Sequence, residues 1–126
     1  MELKKLIYTV EDGIAVITMD YMKNLNAIDE QMADELQYVV DAAERDPAVR
    51  VVVLKGSRKA FSAGGDIGYF YQLIQAGGEV NMDGLISKVG GVADGIKRMS
   101  KMVITSVCGA AAGAGVSLAL AGDFMI

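Results

Sequence analysis

The stretch that most constrains this chain runs from Met102 to Asp123, with no charged residue between Lys101 and Asp123 and glycines at 109, 113 and 115. Its first part, Met102-Val103-Ile104-Thr105-Ser106-Val107, is apolar and rich in β-branched residues, the composition of one buried strand. The glycines mark where the backbone turns tightly or comes close to another group. Val116, Leu118, Ala119 and Leu120 then resume an apolar run with helix-forming residues. A strand, a glycine turn and a helix start leave unpaired backbone N–H groups aimed at one point, where an anion or a polarised carbonyl is held. The plainer account of Gly113-Ala114-Gly115 is close packing of a helix on a strand. A run this long also has the length of a membrane span, and Gly109 and Gly113 form a GxxxG pair. Gly, Ala, Ser and Thr dominate it, however, so its transfer energy is weak, and a turn signature sits in its middle. The reading is a soluble one, with no membrane partner.

Composition narrows the chemistry. The chain has 126 residues and is 52% hydrophobic, enough for one domain, or part of one, with a sizeable core. Its net charge of -4 gives no basic footprint for nucleic acid. Histidine is absent, which excludes a Ser-His-Asp triad, a Cys-His pair and His-based metal sites within this chain; no metal is expected. The single cysteine, Cys108, rules out an internal disulfide and fits a reducing compartment. Met1-Glu2-Leu3-Lys4-Lys5 is charged and runs straight into strand-like sequence. It resembles no secretory signal, and a cytoplasmic location is expected.

In chain order, 6–10 and 14–19 read as two strands, with Glu11-Asp12-Gly13 as a hairpin turn. A loop runs from 20 to 28. Asp29 is a good N-cap for a helix over 30–45, whose stripe of Met32, Leu36, Val39, Val40 and Ala43 lies mostly opposite Asp34, Glu35, Asp41 and Glu44. Asp46-Pro47 stops it. The β-branched run 49–54 predicts a strand buried on both faces, as in a parallel sheet covered by helices. Strand, helix and strand make one right-handed crossover. Asp66 is a candidate cap for a helix over 67–75, and Gly77-Gly78 is a break. Residues 83–101 carry Leu85, Ile86, Val89, Val92, Ala93, Ile96 and Met99 at helical spacing. Glycines at 84, 90, 91 and 95 each weaken that helix by about 1 kcal/mol, so tertiary packing must hold it. Asp123-Phe124-Met125-Ile126 starts a further strand. An apolar strand start at the end of the sequence predicts that the chain is part of something longer.

Three stretches together carry a resemblance: Leu25-Asn26-Ala27-Ile28, Ala60-Phe61-Ser62-Ala63-Gly64-Gly65-Asp66-Ile67, and Cys108-Gly109 through Gly113-Ala114-Gly115 and Leu118-Ala119 to Asp123. In order and separation they are similar to the successive signatures of the crotonase (enoyl-CoA hydratase/isomerase) superfamily. The resemblance covers essentially the whole chain and implies the N-terminal part of a single crotonase-like domain over 1–126. The implied fold is α/β, a ClpP/crotonase-like spiral of repeated ββα units. It implies an acyl-CoA thioester as substrate, no separate cofactor, and a homo-trimer or hexamer. By motif position the Gly65 and Ala114 N–H groups resemble the two donors of an oxyanion hole, which stabilise the enolate formed from the thioester. Ala27, Ala63, Gly64, Asp66, Ile67 and Gly113 fall along the implied CoA site. Gly68 stands where many members carry lysine. Lys23, Arg58 and Lys59 are candidates for the CoA phosphates, with solvated loop charges as the plainer account.

Ser117 is the main departure. Hydratases of the family usually carry a glutamate there as one of two acids that activate water, and a serine cannot be that base near neutrality. The family's second acid falls beyond Ile126. The resemblance therefore implies an enoyl-CoA isomerase or hydratase-type enzyme, the lost carboxylate looking more like the isomerase-type branch, with hydrolases and decarboxylases of the family, or a fragment without activity of its own, as alternatives. Ser117 as simple filler of a helix face is equally open. Two other motifs fail. Gly113-x-Gly115-x-x-Leu118 lacks the third glycine of a dinucleotide fingerprint. Gly115-Val116-Ser117-Leu118-Ala119 is similar to a nucleophile elbow but finds no histidine here to serve it.

Overall fold

The chain opens as a hairpin of β1 (Leu6–Glu11) and β2 (Ile14–Met19), antiparallel, with Leu6 opposite Met19 and Glu11 opposite Ile14. Both turn residues have positive φ, Asp12 at 54° and Gly13 at 79°. That is the two-residue turn whose twist matches its strands. A single 3-10 turn, Met22–Asn24, interrupts the loop that follows. Helix α1 (Glu30–Arg45) has the bounds expected from the sequence, and the Asp29 carboxylate accepts from the Met32 N–H at 2.8 Å. At its far end the Lys101 ammonium donates to the Ala43 carbonyl at 2.6 Å and to that of Asp46, satisfying acceptors the last turn leaves open.

The computed structural model describes residues 1–65, 75 and 83–126. The helix expected over 67–75, with its cap Asp66, lies outside the described residues but for Gln75. Strand β3 (Val51–Lys55) is followed by the short β4 (Ala60–Ser62) and by helix α2 (Asp83–Arg98), which ends three residues before the expected bound. Helix α2 runs alongside α1 in the same direction: Lys88 Nζ lies 3.1 Å from Asp34 Oδ1, and the Ser100 N–H donates to Glu44 Oε2 at 3.0 Å. A Cβ on Gly91 or Gly95 would come within 3.3 Å of Gln37 or Val40 on α1, so these glycines let the two helices pack closely. Their cost in propensity is offset by that contact.

Strand β5 (Met102–Ser106), β6 (Ala110–Ala111), helix α3 (Ala114–Ala121) and β7 (Phe124–Met125) complete the chain. The main sheet has the order β1-β2-β3-β5-β7, parallel from β2 onward. A second sheet consists of β4 and β6, paired in parallel. The sequence pattern predicts neither strand of that sheet. One expectation is corrected: β3 is not buried on both faces. Val52 and Leu54 are 1% exposed, whereas Val51 and Val53 are only partly covered. The helices cover one face of the sheet. On the other, Ile7, Ile14, Met102 and Phe124 remain exposed among the described residues. Because Val51 to Leu54 are all apolar, the sequence hides an alternation that the pleat imposes.

Candidate active site

The site is built from main chain held by two small-residue turns. Phe61 is fully buried and anchors β4 in the core. Just after it, the Ser62 hydroxyl donates to the Asn26 carbonyl at 2.8 Å and accepts from the Gly64 N–H at 3.2 Å. The Ile28 N–H donates to the Gly64 carbonyl at 2.6 Å, and Ile28 and Gly65 form a parallel bridge. Asn26 is itself buried, accepts from the Tyr21 N–H at 2.7 Å and donates to the Ala60 carbonyl at 3.3 Å. The loop around Leu25–Ile28 therefore fixes the turn at 63–65. Gly64 has φ +99°, and a Cβ there would lie 2.8 Å from the Ala112 carbonyl oxygen. The first turn is pressed directly against the second.

The second turn spans Ala112 to Gly115 and is closed by the Gly115 N–H donating to the Ala112 carbonyl at 2.8 Å. Gly113 sits at φ 50° and ψ -120°, the first central position of a type II′ turn, which glycine dominates. Gly115 is different in kind. A Cβ there would meet the Ser62 carbonyl oxygen at 2.6 Å, so its role is to seat α3 on β4. Turn and close packing both hold, each for its own glycine. Gly115→Ala is expected to push α3 away from β4 and to destabilise the fold by about 1–3 kcal/mol, the usual range for overpacking. Chemical denaturation reads this; a loss within a few tenths of a kcal/mol contradicts the packing role.

The turn leaves specific donors free. The N–H groups of Gly115, Val116 and Ser117 are taken up by the carbonyls of Ala112 and Gly113. Among the described residues, neither the Gly65 nor the Ala114 N–H donates within the protein. Gly65, Ala114 and Ser117 all line one cavity of about 740 Å³. Its other walls are Ile28, a stripe of α2 (Leu85, Ile86, Val89, Gly90, Ala93, Lys97) and Leu120 of α3. No carboxylate is among those lining residues, and among the described residues no cluster of metal-ligating side chains occurs.

The remaining predicted residues are dispersed. Ala27 is buried, 6% exposed, while Ala63 and Gly113 are exposed and Gly64 is buried at the contact of the turns. Asp66, Ile67 and Gly68 lie outside the described residues. Arg58 and Lys59 line a second hollow of about 390 Å³ with Met22, Leu25 and Ser57. Lys23 is exposed on the neighbouring 3-10 turn and does not line that hollow. Sequence reasoning misses the α2 wall, although its signal is present. Leu85, Val92 and Ile96 are buried, which leaves Ile86, Val89 and Ala93 as a second apolar stripe beside the first.

The family model for enoyl-CoA hydratase/isomerase matches residues 9–126, all but the first few residues of the chain. The chain belongs to the enoyl-CoA hydratase/isomerase family. Over its whole length it is 29% identical to a trans-2-decenoyl-[acyl-carrier-protein] isomerase of Streptococcus mutans, covering 48% of that protein. It is 32% identical to a short-chain-enoyl-CoA hydratase of Clostridium acetobutylicum, again over the whole chain and 47% of the relative. A solved structure from Pseudomonas aeruginosa, 36% identical, superposes with a TM-score of 0.90 over 99% of this chain and 53% of that one. The chain thus spans about half the length of the relatives it matches. A structure of a putative enoyl-CoA hydratase/isomerase (crotonase) from Legionella pneumophila, 34% identical, superposes with a TM-score of 0.87 over 99% of this chain and 48% of that one, which bears out the crotonase-type α/β fold. No helix among the described residues is long and apolar enough to cross a membrane.

Proposed function

We propose that this chain carries the oxyanion-stabilising part of an enzyme acting on acyl thioesters of coenzyme A. The reading is supported by Gly65 and Ala114, which border two touching turns, both line one largely apolar cavity, and whose N–H groups have no partner among the described residues. A thioester oxygen placed between them gains negative charge as the α-carbon loses a proton or the β-carbon gains water. Fixed main-chain donors stabilise that charge without reorganising. The acyl chain then lies along α2 and α3, and Arg58 and Lys59 at the second hollow face the carrier's phosphates. No further cofactor is required, and the assembly is a homo-trimer or hexamer acting in the cytoplasm.

Ser117 lines the cavity where hydratases of the family usually place an acid. A neutral hydroxyl cannot activate water there, so the reaction is of the isomerase type: the acid that the resemblance puts after Ile126 takes a proton from the α-carbon and returns it to the γ-carbon, the double bond moving through an enolate. The whole-chain similarity to the Streptococcus mutans isomerase also favours an acyl-carrier-protein thioester as a second carrier.

Two assays test this. With a 3-enoyl-CoA and crotonyl-CoA offered in parallel, isomerisation is expected to outrun hydration; faster hydration overturns the isomerase reading. Independently of turnover, the carbonyl stretch of a bound, isotope-labelled acyl-CoA is expected to fall in frequency. An unshifted stretch in the bound ligand removes the oxyanion reading itself.

A further inference from the structure

The cavity has a direction. Helices α1 and α2 run the same way, with Lys88 beside Asp34 and Ser100 beside Glu44. The Gly64 carbonyl is bonded at Ile28, just before α1 begins. The turns therefore sit at the end where α1 and α2 start. Helix α3 leaves the same place at Ala114 and finishes where a Cβ on Gly122 would meet Val103 and Thr105, at the start of β5 just after α2 ends. The wall residues on α2 run from Leu85 to Lys97, a rise of roughly 18 Å, and those on α3 from Ala114 to Leu120, roughly 9 Å. The two free amides are at one end and Lys97 is at the other.

Lys97 is the charged residue in this lining. Among the described residues it takes part in no ion pair: Asp94, one turn back, is held by Arg98 at 3.0 Å, and Lys88 is engaged with Asp34. We propose that the cavity selects an acyl chain of medium length whose far end is a carboxylate, received by the Lys97 ammonium. This rests on the thioester reading of the Gly65–Ala114 end and adds a polarity requirement at the opposite end. A carboxylate brought into a wall of Val89, Ala93 and Leu120 without a partner is strongly disfavoured. Opposite a lysine that has no competing anion among the described residues, it gains a charge-assisted hydrogen bond.

The probes are suberyl-CoA and octanoyl-CoA, which differ only in a terminal carboxylate against a methyl group. By isothermal titration, suberyl-CoA is expected to bind about five- to tenfold more tightly, the size of one partly exposed charge-assisted contact. In Lys97→Met the order is expected to reverse, since the carboxylate then meets only apolar wall. Lys97 is exposed, and circular dichroism checks that the variant is folded. If octanoyl-CoA binds as well as or better than suberyl-CoA, the ammonium points to water with only its stem on the wall, and the proposal fails while the thioester reading stands. A preference that survives Lys97→Met overturns the proposal in the same way. If the folded protein binds neither thioester, the reading of the amide end fails and takes this inference with it.

Discussion

Ala114→Pro is expected to lower turnover of an acyl thioester by about 10²–10³, the effect of deleting one oxyanion donor, while leaving the fold intact. Ala114 is the first residue of α3, the position where a proline's missing N–H costs the helix nothing and its fixed φ is already suitable. Gly113 before it has ψ -120°, outside the helical range that a following proline disfavours. The variant replaces the amide hydrogen with the ring Cδ, so it both removes the donor and fills the place where the thioester oxygen would approach. Steady-state kinetics, the bound carbonyl stretch and the melting temperature should be read together. A variant that keeps its melting temperature and its rate would show that the Ala114 amide has no part in the chemistry. A drop in rate accompanied by a large drop in melting temperature would instead point to a mispositioned α3.

Phe61→Ala is expected to cost about 3–5 kcal/mol of stability, the range for truncating a fully buried aromatic side chain. Phe61 is 0% exposed and sits in β4, one residue before the Ser62 hydroxyl that ties Asn26 to Gly64. A loss of that size is a large fraction of the net stability of an ordinary domain. Urea denaturation measures it. A loss below about 1 kcal/mol would mean that the site can collapse around the missing ring, and that β4 is held by its main-chain bonds instead.

How much of the fold is legible in the sequence follows from how strongly each element advertises its period. Helix α1 has a named cap, an apolar stripe and a proline stop, and the structure places it at the expected bounds. The two turns are legible because glycine clusters interrupt apolar runs at fixed offsets. The second sheet is not: β4 is three residues and β6 two, the latter both alanine, so no alternation can form. Those strands exist because the turns they border are pressed together, which is a long-range fact. The α2 wall escapes for a different reason. A helix with two apolar stripes reads as one wide core face, and only the position of α3 shows that Ile86, Val89 and Ala93 border a cavity rather than the core. Lys97 continues that second stripe and gives no signal of its own.

The donors proposed at Gly65 and Ala114 belong to the polypeptide backbone, and this shapes how such a site would answer to genetics. Side-chain replacement at position 114 can crowd the pocket but leaves the amide in place, and an alanine scan there changes nothing because alanine is the native residue. A survey of tolerated substitutions would therefore score this position as replaceable, with proline as the sole informative letter. Chemistry of this kind is recorded in the path of the chain and is nearly silent in the identity of its residues.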